Sequence, residues 1–238
     1  IVRCVLLGKL ANTKAALRCF MRDHPPEGEA GEKFRAAVST VEALAAQIKD
    51  SRDADEMRGF EGTAARAYFD VFDGMILHQK DGFKFAGRTK RPPLDAVNAM
   101  LSFVYALLAN DAEAALEGVG LDPAVGFLHK DRSGRSSLAL DLMEEFRPWL
   151  ADRLVLSMIN KQQVKPENFR TTESGAVTMD DGARKKILAE WHDRKQDEIT
   201  HPYTGEKMPL GMVPHMQAML LARRIRGDMK EYPPFVWK

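Results

Sequence analysis

The chain has 238 residues, 45% hydrophobic and 29% charged, which is enough for one large or two small domains with a real core. Its net charge of +1 makes no chain-wide case for nucleic acid, so any such case must rest on local patches. Two cysteines, Cys4 and Cys19, exclude a disulfide framework and a cysteine metal clip; they fit core thiols in a reducing cytoplasm.

The opening IVRCVLLGKL has no initiator Met and no charged leader, and it reads as a fragment starting inside an element rather than as a signal peptide. Leu6, Leu10, Leu17 and Phe20, then Phe34, Ala37, Val38, Val41, Leu44 and Ile48, recur at spacings of three and four. That is the period of amphipathic helices, and HPPEGEAG separates the two. A third helix is expected over 54–77. The loop KDGFKFAGRTKRPP then ends at Pro92-Pro93, and Asp95 is the expected N-cap of an apolar helix. The apolar run 97–109 is well short of the roughly 20 residues that cross a bilayer, so it is expected to be a buried helix. A short separate helix, DAEAALEGVG, closes on Gly118 and Gly120, and helices over 137–161 are broken near Pro148. FRTTESGAVTM, 169–179, carries β-branched residues on both sides of Ser174-Gly175 and is the one strand-turn-strand signal. Helices over 181–199 and 210–229 complete the chain. The expected class is all-α with one small β-hairpin. A single helical domain, 1–238, comprises helices in 1–80, a basic loop in 81–93, helices in 94–161, and a hairpin with C-terminal helices in 162–238.

Asp141, Glu144 and Glu145 fall within five positions of one helix. They repel one another unless something holds them, although Ser136 or Ser137 as a cap and the helix dipole, worth about 0.3–1 kcal/mol per acid, would account for them without chemistry. Glu61 lines up with Ala64, Ala65, Tyr68 and Phe72 on an apolar stripe. An inward carboxylate needs a cation, so Glu61 calls for a metal or for a structural arginine such as Arg66 or Arg147. His129 follows the apolar turn GFL and precedes KDRSGR, where it is either a hydrogen-bonded loop residue or a ligand. One imidazole with two carboxylates from separate helices suits Mg²⁺ or Mn²⁺. Lys80, Lys84, Arg88, Lys90 and Arg91 in one loop and Lys130, Arg132 and Arg135 in another can neutralise phosphates or simply be solvated. A hard metal beside phosphate-binding loops makes a phosphoryl-transfer site.

GKLANTKAALR, GFEGTAARAYF, RPPLDAVNAMLSFVYALL and GLDPAVGFLHKDRSGRSSLALDLMEEFRP, in this order and over essentially the whole chain, resemble the CRISPR adaptation integrases, the "Cas one" family. The ending YPPFVWK resembles the type I-C branch. The resemblance implies a divalent ion, Mg²⁺ or Mn²⁺, held by Glu61 in its GFEG context, His129 in its GFLH context and an acid of LALDLMEEFRP. Glu144 is the first choice for that acid and Asp141, one turn earlier, the alternative. Lys84, Arg88, Lys90, Arg91, Lys130, Arg132 and Arg135 would seat DNA. The implied reaction is metal-assisted transesterification joining prespacer 3′-hydroxyl ends to a CRISPR repeat. With water as nucleophile the same site makes a nuclease on branched or single-stranded DNA, and a non-catalytic helical DNA-binding scaffold is the reading from another class. The implied partners are double-stranded DNA, a second copy of the chain in a homodimer, the small "Cas two" bridging protein and the "Cas four" nuclease. The family's N-terminal β-rich domain has no counterpart here, so the chain is expected to be the catalytic helical domain alone.

Overall fold

The computed structural model describes residues 1–130 and 132–237. Helices α1 (Val2–Asp23), α2 (Gly28–Asp50) and α3 (Ala54–Asp70) pack on one another through the apolar faces set by their three-and-four spacing. Leu6, Leu10, Val41, Leu44, Ile48, Met57 and Ala64 form a satellite core between them, and Leu128, from a distant loop, inserts into it. That insertion brings His129 to these helices. The Asp53 side chain caps α3 at the Asp55 N–H. The helix stops at Asp70, short of the expected 77, and continues as a 3-10 turn over Phe72–Met75. There the Asp73 carboxylate accepts the Phe85 N–H (2.9 Å) and ties down the basic loop.

Helix α4 (Ala96–Gly118) begins as expected, with Asp95 Oδ1 accepting the Asn98 N–H at 2.7 Å. It runs unbroken through 110–118, where a separate helix was expected. Ala112, Ala115 and Leu116 continue the buried face of Leu108, and Asp111 is held by Lys195 and the Trp191 indole. At 23 residues α4 is long and apolar enough to cross a bilayer. Its Val97, Met100, Leu101, Val104 and Leu108 are instead fully buried in the main core. Helix α5 (Ser137–Met143) ends before Pro148, which sits in a wide π-type turn, Arg147–Asp152, leading into α6 (Arg153–Asn160).

Strands β1 (Phe169–Thr171) and β2 (Val177–Met179) pair antiparallel, Phe169 opposite Met179, where the hairpin was expected. A second pair, β3 (Glu198–Thr200) and β4 (Lys207–Pro209), corrects the one-hairpin expectation. Helix α7 (Asp181–Gln196) stops at Gln196, because Ile199-Thr200 before Pro202 favour extended backbone and Gly205 supplies the positive φ of the turn. Helix α8 (Val213–Ile225) is likewise shorter than 210–229, ending before Gly227 at φ +86°. The C-terminal tail folds back, burying Tyr232 and Phe235 beside α1 and α8. Cys4 and Cys19 are free and half-buried; Cys4 packs against the main core as expected, whereas Cys19 sits with Arg22 and Asp23 near the end of α1.

Candidate metal and nucleic-acid site

The turn GFLH is tight, since a Cβ on Gly126 would stand 2.7 Å from the His129 carbonyl oxygen and 2.8 Å from Ser137 Cβ. Asp141, 2% exposed on α5, organises it. Its Oδ2 accepts the N–H groups of Phe127 (2.6 Å) and Leu128 (2.8 Å), and its Oδ1 accepts the N–H of His129 (2.9 Å). Oδ1 also lies 2.6 Å from His129 Nδ1. A carboxylate at Nδ1 keeps the proton there and leaves Nε2 as the lone-pair nitrogen. That nitrogen faces Glu144, 3.9 Å from its Oε1. Neither Ser136 nor Ser137 caps α5; the Ser137 hydroxyl donates to the Lys130 carbonyl instead. The simple capping account of the three acids therefore fails.

The three acids have three different surroundings. Asp141 serves the turn. Glu144, 3% exposed, receives Arg147 Nη1 at 2.6 Å on Oε1 and Lys9 Nζ at 2.5 Å on Oε2. Burial pushes the Glu144 carboxyl up, but Arg147 and Lys9 outweigh it and hold it at about 2. Glu145 turns away to the C-terminal tail, accepting from the Tyr232 hydroxyl, the Phe235 N–H and Gln217 Nε2. It has no cation partner among the described residues, and burial raises it to about 8.

Glu61 does face the interior of the site, but its partner is neither Arg66 nor Arg147. Lys9 Nζ contacts Glu61 Oε1 as well as Glu144, so one ammonium bridges the two carboxylates. Burial opposes the Lys9 charge, yet Glu144 and Glu61 together hold its pKa above the usual lysine value. Lys9 was missed in the sequence, although a lysine one turn from Leu6 and Thr13 on the buried face of GKLANTK was the available signal. With Lys9 in that position, no three His, Cys, Asp or Glu side chains among the described residues are grouped closely enough to hold a metal ion.

Two cavities, about 370 and 350 Å³, flank the cluster. Lys9, Glu61 and Asp152 line the first, His129, Arg91 and Arg135 the second, while Arg88, Lys90, Tyr105 and Arg147 wall both. Arg88 is tied into the fold by Asn98 Oδ1 (2.7 Å) and Ser102 Oγ (3.1 Å), so it is a wall and not a free surface cation. Lys84, Lys130 and Arg132 are exposed and line neither cavity. Arg147 stacks 4.2 Å from the centre of the Tyr105 ring, whose hydroxyl donates to buried Asp152 at 2.5 Å. Burial lifts Asp152 to about 6 against the pull of Tyr105 and Arg147. Polar Tyr105 and Asp152 inside apolar runs were the sequence signs of this second, overlooked network.

These features define a helical domain in which an oriented imidazole and two ion-paired carboxylates open onto basic cavities. The family described as "CRISPR associated protein Cas1" matches residues 1–193, and the chain belongs to it. A protein named CRISPR-associated endonuclease Cas1 1, from Chlorobaculum tepidum, is 51% identical over 238 residues, which is all of this chain and 69% of that protein. Among solved structures, a casposase bound to integration product is similar over all of this chain and 64% of its own, with a TM-score of 0.85 at 24% identity. A partial Cas6-RT-Cas1–Cas2 complex is similar over all of this chain and 68% of its own, with a TM-score of 0.83 at 22% identity. At those identities the two structures establish the fold.

Proposed function

We propose that this chain is the catalytic domain of a metal-dependent DNA integrase that joins the 3′-hydroxyl ends of a duplex prespacer to a CRISPR repeat. The observation that carries this reading is that Lys9 Nζ bridges Glu61 and Glu144 while His129 Nε2 lies 3.9 Å from Glu144 Oε1, with basic-walled cavities on either side. One imidazole and two carboxylates are donor types that suit Mg²⁺ or Mn²⁺, and they would close on the ion once Lys9 left its place between the carboxylates. The ammonium seated between Glu61 and Glu144 supports the fit, because that point already has the potential of a cation seat. A divalent ion there would lower the cost of negative charge on the attacking and leaving oxygens.

His129 contributes Nε2 because Asp141 holds the ring and its proton. Arg147, fixed by Tyr105, and Lys90, Arg91 and Arg135 along the cavity walls face the DNA phosphates. The prespacer 3′ oxygen forms a bond to the scissile phosphorus, and the strand's own 3′ oxygen leaves with the electron pair. The proton of the attacking hydroxyl passes to solvent. A second copy of the chain and a Cas2-type bridging protein would hold the two prespacer ends apart, a reading favoured by the similarity to a chain in a Cas1–Cas2 complex.

The test is a strand-joining assay with labelled prespacer, a supercoiled repeat-bearing plasmid, Mn²⁺ or Mg²⁺ and the bridging partner. Label should enter the plasmid only with metal, and His129→Ala should abolish transfer while keeping the wild-type circular dichroism spectrum. Undiminished joining by that variant would refute the assignment. The relative named an endonuclease favours a second reading, in which water replaces the hydroxyl at the same site. Metal-dependent shortening of the label without transfer would establish it.

A further inference from the structure

Lys9 stands where the proposed ion would bind. Its side chain is 12% exposed, its Nζ contacts Glu61 and lies 2.5 Å from Glu144 Oε2, and these are its only side-chain partners among the described residues. An ion coordinated by these two carboxylates needs their oxygens at about 2.0–2.2 Å. The ammonium and the ion cannot share the same lone pairs at the same point. Of the two cations at Glu144, Arg147 is fixed by its stacking on Tyr105, whereas Lys9 ends in a compact ammonium on a flexible stem. The cavity of about 370 Å³ that Lys9 itself lines gives the stem somewhere to turn.

We propose that Lys9 is the resident counter-cation of the metal site: it draws Glu61 and Glu144 together without the ion, and it must swing into the adjacent cavity when the ion binds. Lys9 is thus a positioning residue that sets metal affinity by competition. The inference rests on the metal-site reading above, and its test separates the two.

Mn²⁺ binding to the whole chain would be measured by calorimetry, without DNA, for wild type, Lys9→Met, Lys9→Arg and His129→Ala. Lys9→Met, similar in shape but uncharged, should bind Mn²⁺ at least about tenfold more tightly than wild type, a gain of about 1.4 kcal/mol. Its melting temperature in chelator should fall, because Glu61 and Glu144 then face each other unbridged, and Mn²⁺ should raise it by more than in wild type. Lys9→Arg, which keeps the competing charge, should bind no more tightly than wild type. His129→Ala should lose Mn²⁺ binding. If His129→Ala loses the ion but Lys9→Met binds it equally or more weakly, the counter-cation role is overturned and the metal site stands. If His129→Ala binds like wild type, the metal-site reading falls and this inference with it. Should Lys9→Met lack the wild-type circular dichroism spectrum, Lys9→Gln takes its place with the same expected tightening.

Discussion

Asp141→Asn is the sharpest perturbation of the site. In the wild type each carboxylate oxygen accepts two N–H donors: Phe127 N and Leu128 N on Oδ2, and His129 N and Nδ1 on Oδ1. An amide keeps one acceptor oxygen and replaces the other with a donor. Whichever way it is turned, two N–H groups are left facing an NH₂. An unsatisfied buried donor costs about 1–3 kcal/mol, so the substitution should destabilise the domain by about 2–6 kcal/mol. Against the roughly 5–15 kcal/mol typical of a domain, the variant should still fold at 25 °C. With the NH₂ turned toward His129 the ring loses its acceptor and its orientation, lowering metal affinity by about 10–100-fold, as removal of an outer-shell partner does; with the NH₂ turned toward Phe127 and Leu128 the loss falls on the turn instead. Urea unfolding in chelator and Mn²⁺ titration read the two effects separately. Stability within about 1 kcal/mol of wild type would refute the accounting of donors. Unchanged stability with complete loss of Mn²⁺ binding would make Asp141 a ligand and not the organiser of the turn.

Glu145, raised by burial to about 8, keeps its proton in the folded protein after the unfolded chain has released it near pH 4.5. Its stabilising contribution is therefore complete below about pH 4.5 and is lost as pH rises to about 8. With about 1.4 kcal/mol per pH unit, the loss is on the order of 5 kcal/mol, and Glu145→Gln should remove that slope from urea midpoints measured between pH 5 and 8. An equal slope in the variant would show that Glu145 is ionised in the fold. Tyr105→Phe removes the donor to buried Asp152 and should cost about 1–3 kcal/mol in urea unfolding, with Mn²⁺ affinity unchanged because the ring under Arg147 remains. Asn12, fully buried, donates to the Glu145 and Phe235 carbonyls and accepts the Trp237 N–H. Asn12→Ala should cost about 2–4 kcal/mol and speed hydrogen exchange in 232–237; unaltered exchange there would mean that the tail is held by packing alone.

The helices were legible because their evidence is local. Apolar spacing marks α1, α2 and α4, Asp95 marks the start of α4, and Pro148 marks a disrupted helix. β1 and β2 were legible through β-branched residues on both sides of Ser174-Gly175, whereas β3 and β4 escaped because Lys207-Met208-Pro209 has no β-branched residue and ends in a proline. The junction within α4 was misread because Asp111 looks like a break until Lys195 and Trp191 arrive from another helix.

The site divides in the same way. Glu61 could be singled out because a carboxylate on an apolar stripe is costly wherever it folds, and His129 by its place at a loop mouth, whereas Glu144, with Asp141 as the alternative, was chosen only through the family resemblance. What each carboxylate meets was beyond local sequence. Asp141, Glu144 and Glu145 are neighbours in the chain, yet one holds a turn, one holds two cations and one holds the C-terminal tail. Periodicity and capping act over one or two helical turns. The pairing of Lys9 with Glu61 and Glu144 is decided by how α1, α3 and the segment after α5 pack, and only the tertiary structure brings those charges within a few ångströms.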